Sequence, residues 1–525
     1  LVDERKIPAT MSTQHPDNVN LPDWCEGTVI EGDVEIYEAY FAYSQLGCHE
    51  VMWDSEGKDV DTRVVRKLLD KHPEFFMEHQ LGKNVFLTYR IPNPKIEGAE
   101  RKVFVETLYN IAVACDVAST FYKRDVAPIF EVILPFTTDA KEPIWLYNYY
   151  RKAITTVEEA YLDNSLKAKD WIGCFQPKSI EVIPLIEDFD SILAADKIVE
   201  PYIKAVKPKY LRVFIARSDP ALNYGLLSAV LLSKLAFSKL RVLEKKLDVT
   251  IHLILGVGSM PFRGHLSPEN VGKFLHEYRG LSTVTIQSAL KYDYPTTQVK
   301  DCINTLNKRL PNGEPPTIDP SEEEKLVEML HKSRRFYERV VEELAPLINS
   351  VSSYVPARRA RKLHIGLFGY SHKVGGVSLP RAIPFAAALY SLGIPPEFLG
   401  GKFFEEMKED EWKLVQKFYV NLKHDLDVAG GYLSRRNVEM LKDNCKLVAE
   451  KASMSREKLM NVLNEVSADI EAIEKTFSIK LGPRSSIEKK HKNFANNFLI
   501  SYIDGDKAGT STSLIEAARI RRCLG

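Results

Sequence analysis

Eight short, apolar, β-prone runs, spaced by longer stretches of helical periodicity, constrain this chain more than any other feature. They are Cys48–Trp53, Val85–Tyr89, Ile129–Leu134, Ile180–Ile186, Tyr210–Ala216, Thr250–Leu255, Ser282–Gln287 and Leu363–Phe368. Their near-continuous hydrophobicity suits strands buried on both faces, as in a parallel sheet. Helical spacing fills the intervals, as in Asp61–Glu78, Ala99–Tyr122, Trp145–Leu166, Ala221–Lys246 and Pro320–Asn349. Eight strand-then-helix units predict an α/β fold of the (β/α)8 TIM-barrel type. After Leu379 the pattern changes to helices alone, over Phe403–Lys423, Arg436–Ala452, Arg456–Thr476 and Lys489–Tyr502. The expected organisation is one large domain: an N-terminal arm over 1–45 that contributes to the site, a barrel over 46–395 and a helical layer over 396–525.

Charge narrows the function. Lysine plus arginine equals aspartate plus glutamate at 71 each, so neither nucleic acid nor an anionic membrane is expected as the partner. The greasiest run, Tyr224–Phe237, is too short and too interrupted by Ser228, Ser233 and Lys234 to span a bilayer; it reads as a buried amphipathic helix. Seven cysteines without a CxxC pair predict neither a disulfide framework nor a zinc knuckle. The first six residues are charged rather than apolar, and a cytoplasmic location is expected.

Chemistry in such a barrel gathers at the C-terminal ends of its strands. Glu187 and Asp219 follow consecutive strands, and a hard divalent ion such as Mg²⁺ takes two carboxylates with substrate and water oxygens. Each could instead cap the helix that follows it. Asp188 and Asp190 are better caps than Glu187, which leaves Glu187 freer for metal. The loop from Gly256 through Gly258 and Gly264 to His265 carries Arg263, a planar clamp for phosphate, although it has no Walker ending. An ordinary tight turn would read the same way. Arg90, Arg217 and Gln287 also stand at strand ends, Arg358 and Arg359 lie in a cationic run over 355–362, and Arg381 opens an apolar helix. The segment Thr10–Asn18 is almost wholly polar, and Pro16 holds His15 out of the helical region, where its ring can be aimed. Together these predict a metal-assisted enzyme acting on a small phosphorylated acid.

The same residues resemble the archaeal-type phosphoenolpyruvate carboxylases over nearly the whole chain. Ser12-Thr13-Gln14-His15-Pro16-Asp17-Asn18 looks like their hallmark. More distantly, the chain is similar to the long bacterial and plant carboxylases. Their TAHPT-like histidine corresponds to His15, their FETLxDL-like glutamate to Glu187 and their SDSxKD-like aspartate to Asp219. Their GRGGxxGRGG loop corresponds to Gly256–His265, with its second arginine kept as Arg263, and their LRAIPW-like arginine to Arg381. Two arginines of the long family are replaced by Val257 and Val355, which leaves Arg358, Arg359, Arg217 or Arg90 to supply the missing charge. Gln287 matches a glutamine after the loop, with no role assigned.

The resemblance implies a carboxy-lyase that joins phosphoenolpyruvate and bicarbonate into oxaloacetate, releasing phosphate, through carboxyphosphate and an enolate. It implies Mg²⁺ or Mn²⁺ on Glu187 and Asp219, a phosphate clamp of Arg263, Arg381 and Arg90, and His15 as the group that takes a proton from carboxyphosphate. The loops 355–362 and 371–376 would shield the site. The resemblance also implies a homotetramer and raises an aspartate or malate effector, although the tail Arg521–Gly525 is too short a match to place one. Two rivals stand beside this reading: another Mg²⁺-dependent, enolate-forming barrel lyase, and a barrel without catalysis that serves as a binding partner. The sequence places His15 ahead of the first strand, on an arm folded back over the barrel mouth.

Overall fold

Eight parallel strands close into a barrel, in chain order and with each strand paired to its two neighbours. They are β1 (Thr10–Ser12), β2 (Glu50–Asp54), β3 (Phe86–Arg90), β4 (Glu131–Leu134), β5 (Glu181–Ile186), β6 (Tyr210–Ala216), β7 (Thr250–Gly256) and β8 (Leu281–Ile286). This computed structural model describes residues 6–16, 21–26, 30–56, 60–98, 101–356, 372–374 and 376–525. The expected (β/α)8 class is the one observed. Seven of the eight apolar runs are strands, with ends shifted by two residues at most.

The eighth run, Leu363–Phe368, lies outside the described residues. The barrel is closed instead by Thr10–Ser12, which pairs with β2 at Met11–Glu50 and with β8 at Met11–Thr285. His15 therefore follows a strand end like the other site residues; the arm folded back over the mouth is corrected to β1 and its exit loop. A strand of three residues, two of them hydroxylic, leaves no apolar run to read. Only Met11 enters the barrel interior, packed with Met52, Ile183, Phe214 and Ile254. Thr10 donates its hydroxyl to Asn307 Oδ1 (2.8 Å) and accepts from the His49 N–H (3.1 Å). Polar outward groups that find partners cost little to bury.

Side chains along a strand alternate between faces, so residues two apart enter the barrel in succession. On β2 these are Glu50, Met52 and Asp54; on β6 they are Arg212, Phe214 and Ala216. The interior is thereby layered. At the bottom Arg212 donates to Glu50 through Nη1 (2.9 Å) and Nη2 (2.7 Å), and to Glu131 through Nη1 (2.9 Å). An apolar layer lies above it, and the mouth lies above that.

Helices surround the barrel. Leu226–Leu247 is buried on every side over its first turns, where it packs between the sheet and the long helix Pro320–Ser352. The long helix begins on Asp319, whose carboxylate accepts from the Ser321 and Glu322 N–H groups (2.9 and 3.0 Å). Lys102–Tyr122 is long and apolar enough by composition to cross a membrane, but its buried face rests on the helix Val64–Lys71. The helical layer beyond residue 396 reaches inward to the glycine loop, where Glu397 and Asp425 meet Phe262 and His265.

Candidate active site

A cavity of about 640 Å³ opens at the C-terminal ends of the strands. Met52, Leu185 and Phe214 of the apolar layer form its base. His15, Arg90, Glu187, Arg217, Asp219, Gly256, Arg263, Gln287 and Arg381 all line it, so most residues singled out from the sequence converge on one place. Arg358 and Arg359 lie outside the described residues with the rest of 357–362, as do 371 and 375; Val355 and Pro356 line the cavity.

Glu187 follows β5, and Asp188 takes the helix-capping role, accepting from the Ser191 N–H at 2.9 Å. The Glu187 carboxylate accepts the Phe136 N–H at 2.9 Å. Phe136 holds φ at 51°, a costly setting for a bulky residue, which turns that N–H toward Glu187. Burial raises the Glu187 pKa well above the usual range, and the negative charges of Asp219 and Glu56 add to it; Arg90 and the Phe136 N–H oppose. Asp219 sits in the first turn of the helix Ser218–Tyr224. A buried carboxylate, Glu187, and a half-buried one, Asp219, that repel each other in one cavity are a donor set that a hard divalent cation fits. Among the described residues a second cluster, His265, His424 and Asp425, also brings possible ligand atoms within 4.8 Å of one another. Its donors are committed: His265 Nδ1 meets Asp425 at 2.6 Å, Lys273 Nζ sits 3.0 Å from His424 Nδ1, and Asn270 meets His424 Nε2 at 3.2 Å. We read it as a fastening between the glycine loop and the helical layer.

The arginines divide by what they touch. Arg263 donates to Gln287 Oε1 (2.6 Å), Ser218 Oγ (3.2 Å) and the Gly525 oxygen (2.6 Å). Burial pushes its pKa down to about 10 against the attraction of Asp219. Gln287, which the sequence left without a role, therefore aims Arg263. Arg90 is gripped bidentately by Asp54, Nε to Oδ1 at 2.8 Å and Nη2 to Oδ2 at 2.6 Å. Arg217 directs Nε to Tyr278 Oη (3.0 Å) and Nη1 to the Phe262 carbonyl (3.0 Å), so it braces the glycine loop from below. From the other side Glu397 accepts the Phe262 N–H at 2.9 Å. Arg381 stands immediately ahead of the helix Ala382–Ser391, at the cavity wall.

The loop's glycines have separate reasons. A Cβ on Gly264, where φ is +116°, would meet Val257 at 2.6 Å; one on Gly258 would press on Arg263 and Gln287 at about 3.1 Å. One on Gly256 would meet the Phe214 ring at 2.9 Å. Val257, where the long carboxylases carry arginine, is buried under this turn.

A family model described as phosphoenolpyruvate carboxylase matches residues 7–525. The chain belongs to the phosphoenolpyruvate carboxylase family. It is 47% identical to the phosphoenolpyruvate carboxylase of Metallosphaera sedula, over 99% of this chain and 100% of that one. It is 45% identical to the enzyme of that name from Picrophilus torridus, over 99% of both chains. Identity to the one from Caldivirga maquilingensis is 44%, over 99% of this chain and 100% of that one.

Within this family frame, three residues at the site escaped the sequence reading. Asp54 is a strand-end acid; ending β2 one residue later would have exposed it. Glu38 and Lys291 come from flanking helices and meet only in three dimensions, so no local spacing signals them. Glu38 lies on the helix Asp33–Ser44 and Lys291 on Ser288–Tyr292.

Proposed function

We propose that this chain carboxylates phosphoenolpyruvate with bicarbonate, yielding oxaloacetate and phosphate. The observation that carries it is the single cavity lined by Arg263, Arg381, the acids Glu187 and Asp219, and His15. Phosphoenolpyruvate brings a phosphoryl group and a carboxylate, for which the arginines and a cation held by the two acids are the matching groups.

Arg263 and Arg381 bind the phosphoryl group and orient it while bicarbonate attacks phosphorus. The bond from phosphorus to the enol oxygen breaks, leaving the enolate of pyruvate beside carboxyphosphate. Glu187 and Asp219 hold the divalent cation, Mg²⁺ or Mn²⁺, which when bound supplies positive charge for the negative charge that develops on the substrate. An imidazole nitrogen of His15 takes the proton of carboxyphosphate, which then splits into CO₂ and phosphate. The enolate carbon attacks CO₂ to form oxaloacetate. The apolar base of Met52, Leu185 and Phe214 keeps water from competing there.

A coupled assay with and without bicarbonate, at fixed Mg²⁺, is the test. Oxaloacetate and phosphate in equal amounts, both dependent on bicarbonate, is the expected result. Cleavage without bicarbonate would move the reading to another enolate-forming lyase, and no phosphate at all to a barrel without catalysis. Native mass and inhibition by aspartate or malate test the homotetramer and the effector that the family resemblance suggests, and fractionation tests the cytoplasmic location.

A further inference from the structure

We infer that Lys291 and Glu38 form a buried clasp that positions His15, with Tyr292 as its third member. The inference rests on the reading of His15 as the proton acceptor. Lys291 is fully buried at its side chain, and Glu38 is 3% exposed. Lys291 Nζ donates to Glu38 Oε1 (2.8 Å), to the Thr13 carbonyl (2.6 Å) and to Ser12 Oγ (3.1 Å). The other Glu38 oxygen accepts the His15 N–H at 3.0 Å, and Tyr292 donates its hydroxyl to Glu38 Oε1 at 2.8 Å. The Tyr292 ring lies 5.5 Å from the His15 imidazole, tilted by 44°. One ion pair thus holds residues 12, 13 and 15 at once, and a neighbouring ring bounds the imidazole.

The topology explains why these elements meet. β1 is hydrogen-bonded to β8, so the helix that follows β8 stands beside the loop that leaves β1. Between Thr13 and His15, Gln14 is fixed separately: Nε2 donates to Glu35 (2.6 Å), and Oε1 accepts the Asp54 N–H (2.7 Å). A well-packed apolar pair would be at least as stable as a buried ion pair, so stability alone is a weak reason for these charges. Their hydrogen bonds fix a loop that has no regular structure of its own and must place an imidazole within a fraction of an ångström.

The charge-neutral double variant Glu38→Leu with Lys291→Met separates positioning from folding. It removes the hold on Thr13 and His15 without leaving an unpaired buried charge. Thermal midpoint, KM for phosphoenolpyruvate, kcat and the ratio of phosphate to oxaloacetate are to be measured beside His15→Asn. Because phosphate is released before the carbon–carbon bond forms, a misplaced His15 raises that ratio above one. The expected double variant keeps its fold and its KM, loses about 10- to 100-fold in kcat, and shifts the ratio in the direction of His15→Asn. If His15→Asn is uncoupled while the double variant keeps wild-type kcat and ratio, the clasp is wrong and the reading of His15 stands. If His15→Asn itself keeps wild-type coupling, the reading of His15 fails, and the clasp fails with it. Should the double variant not fold, Tyr292→Phe removes one bond and keeps the ring; a wild-type kcat and ratio there overturn the clasp.

Discussion

Two buried arginines at opposite ends of the barrel live under opposite rules. Arg212, at the bottom, meets two carboxylates, Glu50 and Glu131, through three hydrogen bonds. Burial alone would lower its pKa, but the two acids reverse that and raise it. Arg263, at the mouth, is almost as buried, yet its hydrogen bonds go to a serine, a glutamine and the Gly525 oxygen. Its pKa falls to about 10, because burial outweighs the pull of Asp219. The first arginine is complete within the protein and serves the fold. The second is desolvated among uncharged side chains, a state that an anion bound as proposed would relieve.

The difference predicts where each change is felt. Arg212→Met leaves two buried acids without their cation and should cost about 3–5 kcal/mol of stability, read by urea or thermal unfolding. The folded fraction should keep its KM for phosphoenolpyruvate. A stable variant, or one whose KM shifts instead, would erase the distinction between floor and mouth.

The acids at the mouth give the next largest effect. Glu187 has a raised pKa when folded, so its contribution to stability is full below the ordinary value near 4.5 and is lost as pH rises through the folded value. A bound cation offsets that loss. Mg²⁺ at 100 times its Kd should therefore add up to about 2.7 kcal/mol at pH 8, and less at pH 5. Differential scanning fluorimetry after chelation reads it; a shift that does not grow with pH counts against Glu187 as a ligand.

Gly264→Ala should destabilise by about 1–3 kcal/mol, from the positive φ and the meeting with Val257. Chemical denaturation measures it, and a neutral result would mean the loop can relax. Gln287→Ala is the mildest. It removes one hydrogen bond that aims Arg263 and should raise KM for phosphoenolpyruvate about tenfold with little change in stability. An unchanged KM would show that Ser218 and Gly525 suffice to aim it.

The same contrast explains what the sequence could and could not tell. The seven longer strands were readable because each is rich in apolar and β-branched residues along its length, a pattern carried by the strand itself. β1 was not, because Thr10 and Ser12 satisfy their hydroxyls across the chain, on Asn307 and Lys291. Glu187, Asp219 and Arg263 were readable because strand ends and a glycine loop mark them. What each arginine touches was not, since Arg217 and Arg90 differ from Arg263 only in partners brought from elsewhere: Tyr278 and a loop carbonyl for one, Asp54 for the other. Glu38 and Lys291 are the extreme case, 253 residues apart and joined by one hydrogen bond.

The proposed relief of Arg263 by a bound anion is tested most directly by titrating phosphoenolpyruvate, with Mg²⁺ and without bicarbonate, into wild type, Arg263→Gln and Arg212→Met by calorimetry. Arg263→Gln should weaken binding by about 2–5 kcal/mol, on the order of 30-fold or more, while Arg212→Met binds as wild type does. Wild-type affinity in Arg263→Gln would contradict the assignment of this arginine to the substrate.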